Sequence, residues 1–188
     1  MTVLVLGVGH PDRGDDAAGA MVARALDGMP GVVSRVVTGD PSQLLTDPLW
    51  DTADRVVLID TVHTGHRPGT VHRWAGQRLL EHLPATGGGT HDLGVATTLH
   101  LAAALGRLPA ELTVIGIEGA CFEVGHPPCR PVRHAAAMVA AALVRGLDGV
   151  AAGDLLEVAA RVVDREARTS SVGAAARRPR TSVAWSDH

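Results

Sequence analysis

The sequence predicts an α/β protein, a three-layer sandwich in which a twisted, mostly parallel sheet has helices on both faces. Apolar runs typical of buried strands alternate along the chain with segments of helical periodicity. The first run, Val3–Val8, contains Gly7, is followed by Gly9 and passes into a helix after one polar turn. A strand that leads into a helix in this way places polar residues at the carboxyl edge of a sheet, where open α/β folds bind ligands.

The remaining elements follow from hydrophobic pattern and from turn residues. Strands are predicted over residues 2–8, 32–37, 55–60, 70–74 and 112–117. The run 55–60 is almost continuously apolar, as expected of a central strand, whereas the alternation at 70–74 indicates an edge strand. Helical segments are predicted after Asp16 and around residues 43–45, 78–82, 91–105 and 132–146. The glycine-rich segment 84–90 is expected to be a mobile loop.

Length and composition indicate one globular domain. With 188 residues, 46% of them hydrophobic and 20% charged, the chain can bury one substantial core. We assign that domain to residues 1–149, allow for a terminal helix over 150–168 and expect a disordered tail over 169–188. An aromatic content of 2% and a net charge of -3 argue against a nucleic-acid partner, because stacking platforms and a basic surface are both lacking.

Residue usage also narrows the chemistry and the compartment. Every basic side chain other than histidine is arginine, which excludes a catalytic lysine. Cys121 and Cys129 are interpreted as reduced thiols in the cytoplasm, because the chain shows no signal-peptide pattern. Val3–Val8 lacks a basic leader and is interrupted by glycine, so we expect it neither to direct secretion nor to span a membrane. A monomer without a membrane partner is favoured.

The glycine turn after the first strand resembles a dinucleotide-binding fingerprint only in part. Asp12 stands where the third glycine of that fingerprint belongs, and an aspartate there would repel a pyrophosphate. The second predicted strand also lacks an acidic residue at its end to bind a ribose. A small-ligand α/β binding protein that uses this turn therefore remains only an alternative.

Three polar side chains are predicted to meet over the carboxyl ends of the strands. Asp16 follows the first strand, Asp60 ends the third and His91 opens the helix after the glycine-rich loop. Two carboxylates and one imidazole suit a borderline divalent metal such as nickel or zinc, with coordination positions left open. Each residue taken singly has an ordinary structural explanation, such as a helix cap or a partnered carboxylate. We assign Asp16 to the metal and Asp15 to helix capping.

The sequence resembles a known family, the maturation endopeptidases of NiFe hydrogenases. The resemblance rests on four segments that match in order and spacing over roughly the first 145 residues: 7–19 (GVGHPDRGDDAAG), Asp60 at a strand end, 90–94 (THDLG) and 115–118 (IGIE). It implies a twisted sheet between helices and removal of a C-terminal peptide from the precursor of the hydrogenase large subunit after nickel insertion. The metal ligands it implies are Asp16, Asp60 and His91.

The resemblance makes nickel part of the substrate, because family members need no metal of their own to fold. The metal could then polarise the scissile carbonyl or activate a water, and Asp16 or Asp60 could act as general base. We find no serine or cysteine nucleophile with a paired histidine and acid, and we assign no catalytic role to Cys121 or Cys129. A nickel-binding accessory or carrier module without proteolysis would present the same three ligands and remains an alternative.

The sequence departs from the family pattern at two positions. His10 stands where the family usually has Asn or Asp, and Gly119 stands where a proline is common. His10 could therefore supply a fourth ligand or alter the turn. A second group of imidazoles, His63, His66 and His72, lies near Asp60 in the sequence, and His63 or His66 could compete for metal.

Overall fold

The computed structural model describes residues 1–82 and 92–147. The five strands are β1 (Val3–Val8), β2 (Val32–Val37), β3 (Arg55–Val62), β4 (Val71–Ala75) and β5 (Leu112–Glu118). The described residues form four α-helices, α1 (Ala18–Ala25), α2 (Gly76–His82), α3 (Asp92–Ala104) and α4 (Arg130–Leu147). Two 3-10 helices, Gly14–Ala17 and Pro41–Thr46, follow β1 and β2. The predicted loop 84–90, terminal helix 150–168 and tail 169–188 lie outside the described residues.

The strands form one sheet in the order β2-β1-β3-β5-β4. β1 pairs with β2 and β3 in parallel, and β3 pairs with β5 in parallel. β4 runs antiparallel to β5 and forms one edge of the sheet. The predicted α/β class, the mostly parallel sheet and the edge position of β4 are therefore confirmed. β3 continues past the predicted end at Asp60, because Thr61 and Val62 still pair with Ile117 and Glu118.

The core consists of two apolar layers, one on each face of the sheet. Alternating side chains of β1 show the division, since Val3 and Val5 point to one layer while Leu4 and Leu6 point to the other. The first layer lies under α1 and α4, and includes Val22 and Val139. The second layer contains Leu99 from α3, Trp50 and the 3-10 helix after β2. Helices on both faces of the sheet give the predicted three-layer sandwich.

A close approach of α1 to β1 fixes the start of the chain. A Cβ atom at Gly7 would overlap the carbonyl oxygen of Gly19, and a Cβ at Gly19 would overlap that of Val8. Two side-chain-free positions thus let the helix lie directly on the strand, so the turn between them is held over the carboxyl end of β1. Within the described residues, no helix has the length and apolar character needed to cross a bilayer.

Candidate active site

A pocket opens at the carboxyl ends of β1 and β3, where the strand order changes direction. The chain leaves β1 towards β2, its neighbour on one side. It leaves β3, the neighbour of β1 on the other side, towards β4 and β5, so the loops that follow β1 and β3 diverge. The pocket has a volume of about 360 Å³. Its lining residues are Val8, Gly9, His10, Arg13, Asp16, Gly39, Pro41, Asp60, Gly94 and Val124.

Asp16 reaches the pocket from the 3-10 helix that follows β1. Its side chain is almost fully buried, with the residue 8% exposed. The Oδ2 atom accepts a hydrogen bond of 2.9 Å from the backbone N–H of His10. The turn therefore wraps around this carboxylate and fixes one of its oxygens, while the residue still lines the pocket.

Asp60 reaches the same pocket from β3. It is half-buried, and its Oδ1 atom accepts a hydrogen bond of 2.8 Å from the backbone N–H of Thr61. The Thr61 hydroxyl in turn donates to the carbonyl oxygen of Asp15 at 2.9 Å, which ties the end of β3 to the turn after β1. Asp16 and Asp60 thus line one pocket from two neighbouring strands. His91 lies outside the described residues, and Gly94 in α3 is among the lining residues.

Asp15 has a different role from the helix cap that the sequence suggested, and that expectation is wrong. Neither the 3-10 helix nor α1 has a side-chain cap. The fully buried carboxylate of Asp15 instead accepts backbone hydrogen bonds from Ala120 (2.8 Å), Cys121 (2.9 Å) and Cys129 (2.6 Å). Asp15 therefore holds the long connection between β5 and α4 against the first turn.

The hydrogen bonds to Asp15 also determine its charge. Burial acts to raise the pKa of Asp15, but the amide donors of Ala120, Cys121 and Cys129 outweigh it, so the pKa lies below its ordinary value of 3.8. The residue is thus an anion whose three backbone donors replace water. Such charge-assisted hydrogen bonds are stronger than neutral ones.

The structure adds to the site a positive charge that the sequence analysis did not single out. Arg13 lines the pocket, and its Nε atom donates to the carbonyl oxygen of Phe122 at 3.1 Å. His10 also lines the pocket, and its Nδ1 atom accepts from the Asp12 backbone N–H at 3.3 Å. The residues around Arg13 in the sequence do not indicate that it lines the pocket, because the loop that positions it lies more than a hundred residues away in sequence.

Both cysteines lie in the connection between β5 and α4. The two thiols are free and half-buried. Burial raises the pKa of the Cys129 thiol, and the adjacent Asp15 acts in the same direction. A thiol held in its neutral form is a poor nucleophile, which supports leaving Cys129 out of the chemistry.

The three histidines grouped in the sequence separate in the structure. His63 lies next to Gly119, with its Nδ1 atom 3.2 Å from that carbonyl oxygen, and faces the ring of Phe122. His66 and His72 instead lie together, with ring centroids 5.0 Å apart, beside the fully buried Glu118. None of the three lines the pocket that contains Asp16 and Asp60.

The fold and the pocket define an α/β protein with an acidic site at the switch point of a mostly parallel sheet. A family model described as hydrogenase maturation protease matches residues 34–145, and the chain belongs to this family. The family predicted from the motifs is thereby confirmed. The family consists of proteases, in agreement with the enzyme class that the motifs implied.

Three relatives illustrate the similarity. The chain is 32% identical over 119 residues to the hydrogenase expression/formation protein HupD of Thiocapsa roseopersicina, a match that covers 62% of this chain and spans about half (53%) of that relative. The structure resembles the NiFe hydrogenase maturation protease HybD from Thermococcus kodakarensis, with 27% identity, a TM-score of 0.61 and coverage of 78% and 99% of the two chains. The structure also resembles an endopeptidase from Escherichia coli, with 26% identity, a TM-score of 0.61 and coverage of 80% of this chain and 95% of that chain.

We expect Gly9 to be indispensable to the turn around Asp16. Gly9 has φ of +121°, and a Cβ there would overlap the carbonyl oxygen of Asp16 and lie 3.1 Å from its Oδ1 atom. Gly28 also has positive φ (+76°), but a Cβ there meets no atom within 4 Å. Gly28→Ala should lower the free energy of unfolding by about 1 kcal/mol, because alanine disfavours this backbone conformation. Gly9→Ala should lower it by about 1–3 kcal/mol more, because its Cβ would also overlap the Asp16 backbone. Urea unfolding of the two variants measures the difference, and equal losses would contradict the packing described.

Asp15→Asn should destabilise the fold by about 3 kcal/mol at neutral pH, because it removes the buried charge that three backbone amides share. Asp12→Asn, an exposed change in the same turn, is the control and should be nearly neutral. The folded-state pKa of Asp15 is lowered, so its stabilisation is present above the ordinary value of 3.8 and is lost as the pH falls through the folded value. The difference in unfolding free energy between wild type and Asp15→Asn should therefore shrink as the pH falls below 3.8. A constant gap would exclude the ionic role.

Proposed function

We propose that this protein is an endopeptidase that removes a C-terminal peptide from the nickel-loaded precursor of a NiFe-hydrogenase large subunit. Family membership supports the type of reaction and the class of substrate. The observation that carries the proposal is the placement of Asp16 and Asp60 in one pocket at the switch point of the sheet. In this proposal both carboxylates and His91 contact the nickel that the precursor brings.

Nickel serves in this proposal as the recognition element of the substrate. Two carboxylates and an imidazole are adequate but weak ligands for a borderline metal when they act without further donors. A nickel ion already bound by the precursor would gain these ligands on docking, whereas a precursor without nickel would gain nothing. A difference of about 3 kcal/mol in binding free energy corresponds to roughly hundredfold discrimination, which one or two added ligands can supply.

The walls of the pocket suit an extended peptide. Gly9, Gly39 and Gly94 line it, so parts of the wall are bare backbone that an incoming chain can approach closely. Val124 lies at the rim and is 75% exposed, which offers an apolar contact to the substrate. The volume is in the range of about 300–1,000 Å³ that is typical of ligand pockets, so a short segment of the precursor enters rather than a folded domain.

Hydrolysis assigns Asp16 and Asp60 two complementary tasks. Both carboxylates contact the substrate's nickel, and one of them also accepts a proton from the attacking water as the water oxygen bonds to the scissile carbonyl carbon. The C–N bond then breaks, and the proton passes to the leaving nitrogen. Asp16 and Asp60 each have one oxygen fixed by a backbone amide, from His10 and Thr61 respectively, so either carboxylate can serve as the general base. Arg13 supplies positive charge near the developing oxyanion.

The proposed setting is the cytoplasm, and the proposed working form is a monomer. Two free thiols in the connection after β5 are typical of proteins in a reducing compartment.

The test is intact-mass spectrometry of nickel-loaded and nickel-free precursor incubated with the protein. Loss of a C-terminal peptide from the loaded precursor alone is the expected result. Asp16→Asn, Asp60→Asn and His91→Ala should each lower the rate at least about hundredfold, because each removes a ligand or the general base. Asp12→Asn, which changes an exposed carboxylate of the same turn, should process normally.

Each alternative gives a distinct result in the same assay. Binding of the loaded precursor without loss of a peptide would favour a carrier module and overturn the endopeptidase. Equal cleavage of both precursors would overturn recognition through nickel. Wild-type rates in any one of the three site variants, with unchanged melting temperature, would remove that residue from the site.

A further inference from the structure

A second group of ligand-type side chains lies outside the pocket. His66, His72 and Glu118 each place one nitrogen or oxygen atom within 4.8 Å of those of the other two. They come from three segments, the connection between β3 and β4, the edge strand β4 and the end of β5. None of them is a lining residue of the pocket that contains Asp16 and Asp60.

Glu118 provides a fixed anionic centre for this group. It is fully buried, and its Oε1 atom accepts backbone hydrogen bonds from Thr64 (2.7 Å), Gly65 (2.8 Å) and His66 (3.2 Å). The Thr64 hydroxyl donates to Oε2 at 2.8 Å. Burial acts to raise the pKa of Glu118, but the Thr64 and Gly65 donors outweigh it, so the pKa lies below its ordinary value. The carboxylate is therefore preorganised.

His72 faces this carboxylate with a nitrogen that makes no hydrogen bond. Its ring stacks on Trp74, with centroids 5.5 Å apart and planes inclined by 11°. The Nε2 atom is buried and has no hydrogen-bond partner among the described residues, although it lies 3.4 Å from Oε2 of Glu118. That separation is close to the edge of a tetrahedron of ligands about 2.0–2.2 Å from a central ion. A cation between the two atoms would satisfy both.

Thr64 also fixes the ring of His66. The Thr64 hydroxyl has one proton, which it donates to Glu118, so its oxygen accepts from Nδ1 of His66 at 2.8 Å. The neutral ring then keeps its lone pair on Nε2. A hydrogen bond that fixes the tautomer of a histidine is a common feature of metal ligands. Because His66 is exposed, its ring can adjust and leave a coordination position open to solvent.

We propose that His66, His72 and Glu118 form a second metal site that binds a borderline divalent cation, with zinc as the reference ion. Two imidazoles and one carboxylate match the ligand preferences of zinc and its neighbours and exclude calcium or magnesium as the best fit. The bound ion joins the connection between β3 and β4 to the ends of β4 and β5.

This site is separated from the pocket by the width of two strands. Asp60 pairs with Gly116, and Gly116 pairs with His72, so the Asp60 and His72 backbones are about 10 Å apart at the usual spacing between strands. Val62 and Trp74 meet over Gly116 between them. The proposal therefore does not depend on the proposed endopeptidase activity.

The test is equilibrium dialysis against zinc of the full chain carrying Asp16→Asn and Asp60→Asn, which disables the first site. We expect one zinc ion per chain. His66→Ala and His72→Ala on this background should each weaken binding at least about tenfold. Because His66 is exposed, its variant should fold normally, so its zinc affinity can be measured whether or not the His72 variant is stable. Cobalt in place of zinc should give a visible spectrum that changes in both variants.

His126→Ala is the matched control. His126 is an exposed imidazole whose Nε2 atom lies 3.2 Å from Oε2 of Glu123. Among the described residues, this histidine–carboxylate pair belongs to no group of three ligand-type side chains. Its loss should leave zinc binding unchanged. Absence of saturable binding, or binding that the His66 and His72 variants do not weaken, would overturn the proposal and leave His72 and Glu118 as an ion pair. An equal loss in His126→Ala would also overturn it.

Discussion

The carboxylate of Asp15 is the interaction on which the arrangement of the pocket depends. It lies where the first turn, the end of β3 and the connection between β5 and α4 meet, and it replaces water for three backbone amides of that connection. The same connection supplies the carbonyl oxygen that Arg13 contacts and the rim residue Val124. Without a buried anion at this position, those amides would be unsatisfied and the wall of the pocket would lose its anchor.

Adjacent aspartates thus have opposite roles because of where the backbone directs them. Asp15 points inward, and its oxygens are occupied by amides from the β5 to α4 connection. Asp16 lines the pocket and, among the described residues, accepts a hydrogen bond from the His10 amide of its own turn. The pair shows how a structural anion can support a pocket-lining carboxylate at the next position. Gly9 makes this possible, because only a residue without a side chain fits against the Asp16 carbonyl.

Local pattern was sufficient to predict most of the fold. The apolar runs identified the strands, and the alternation at 70–74 identified β4 as an edge strand, because burial on one or both faces sets these patterns directly. The role of Asp15 was not predictable, since its partners lie 105 to 114 residues later in the chain. Clustering of His66 and His72 was visible in the sequence. Glu118 joins them only through the pairing of β5 with β3 and β4, which no local pattern records.

The two outer strands of the sheet also affect how readily the protein aggregates at high concentration. An unpaired strand edge is a template for edge-to-edge aggregation, and natural sheets counter this with short strands and charged side chains. β4 has five residues with an exposed Arg73 at its centre, and β2 has six with an exposed Arg35. Adding a further strand at either edge would bring a second chain against a guanidinium group. The charged side chains on these edges therefore oppose polymerisation through the sheet.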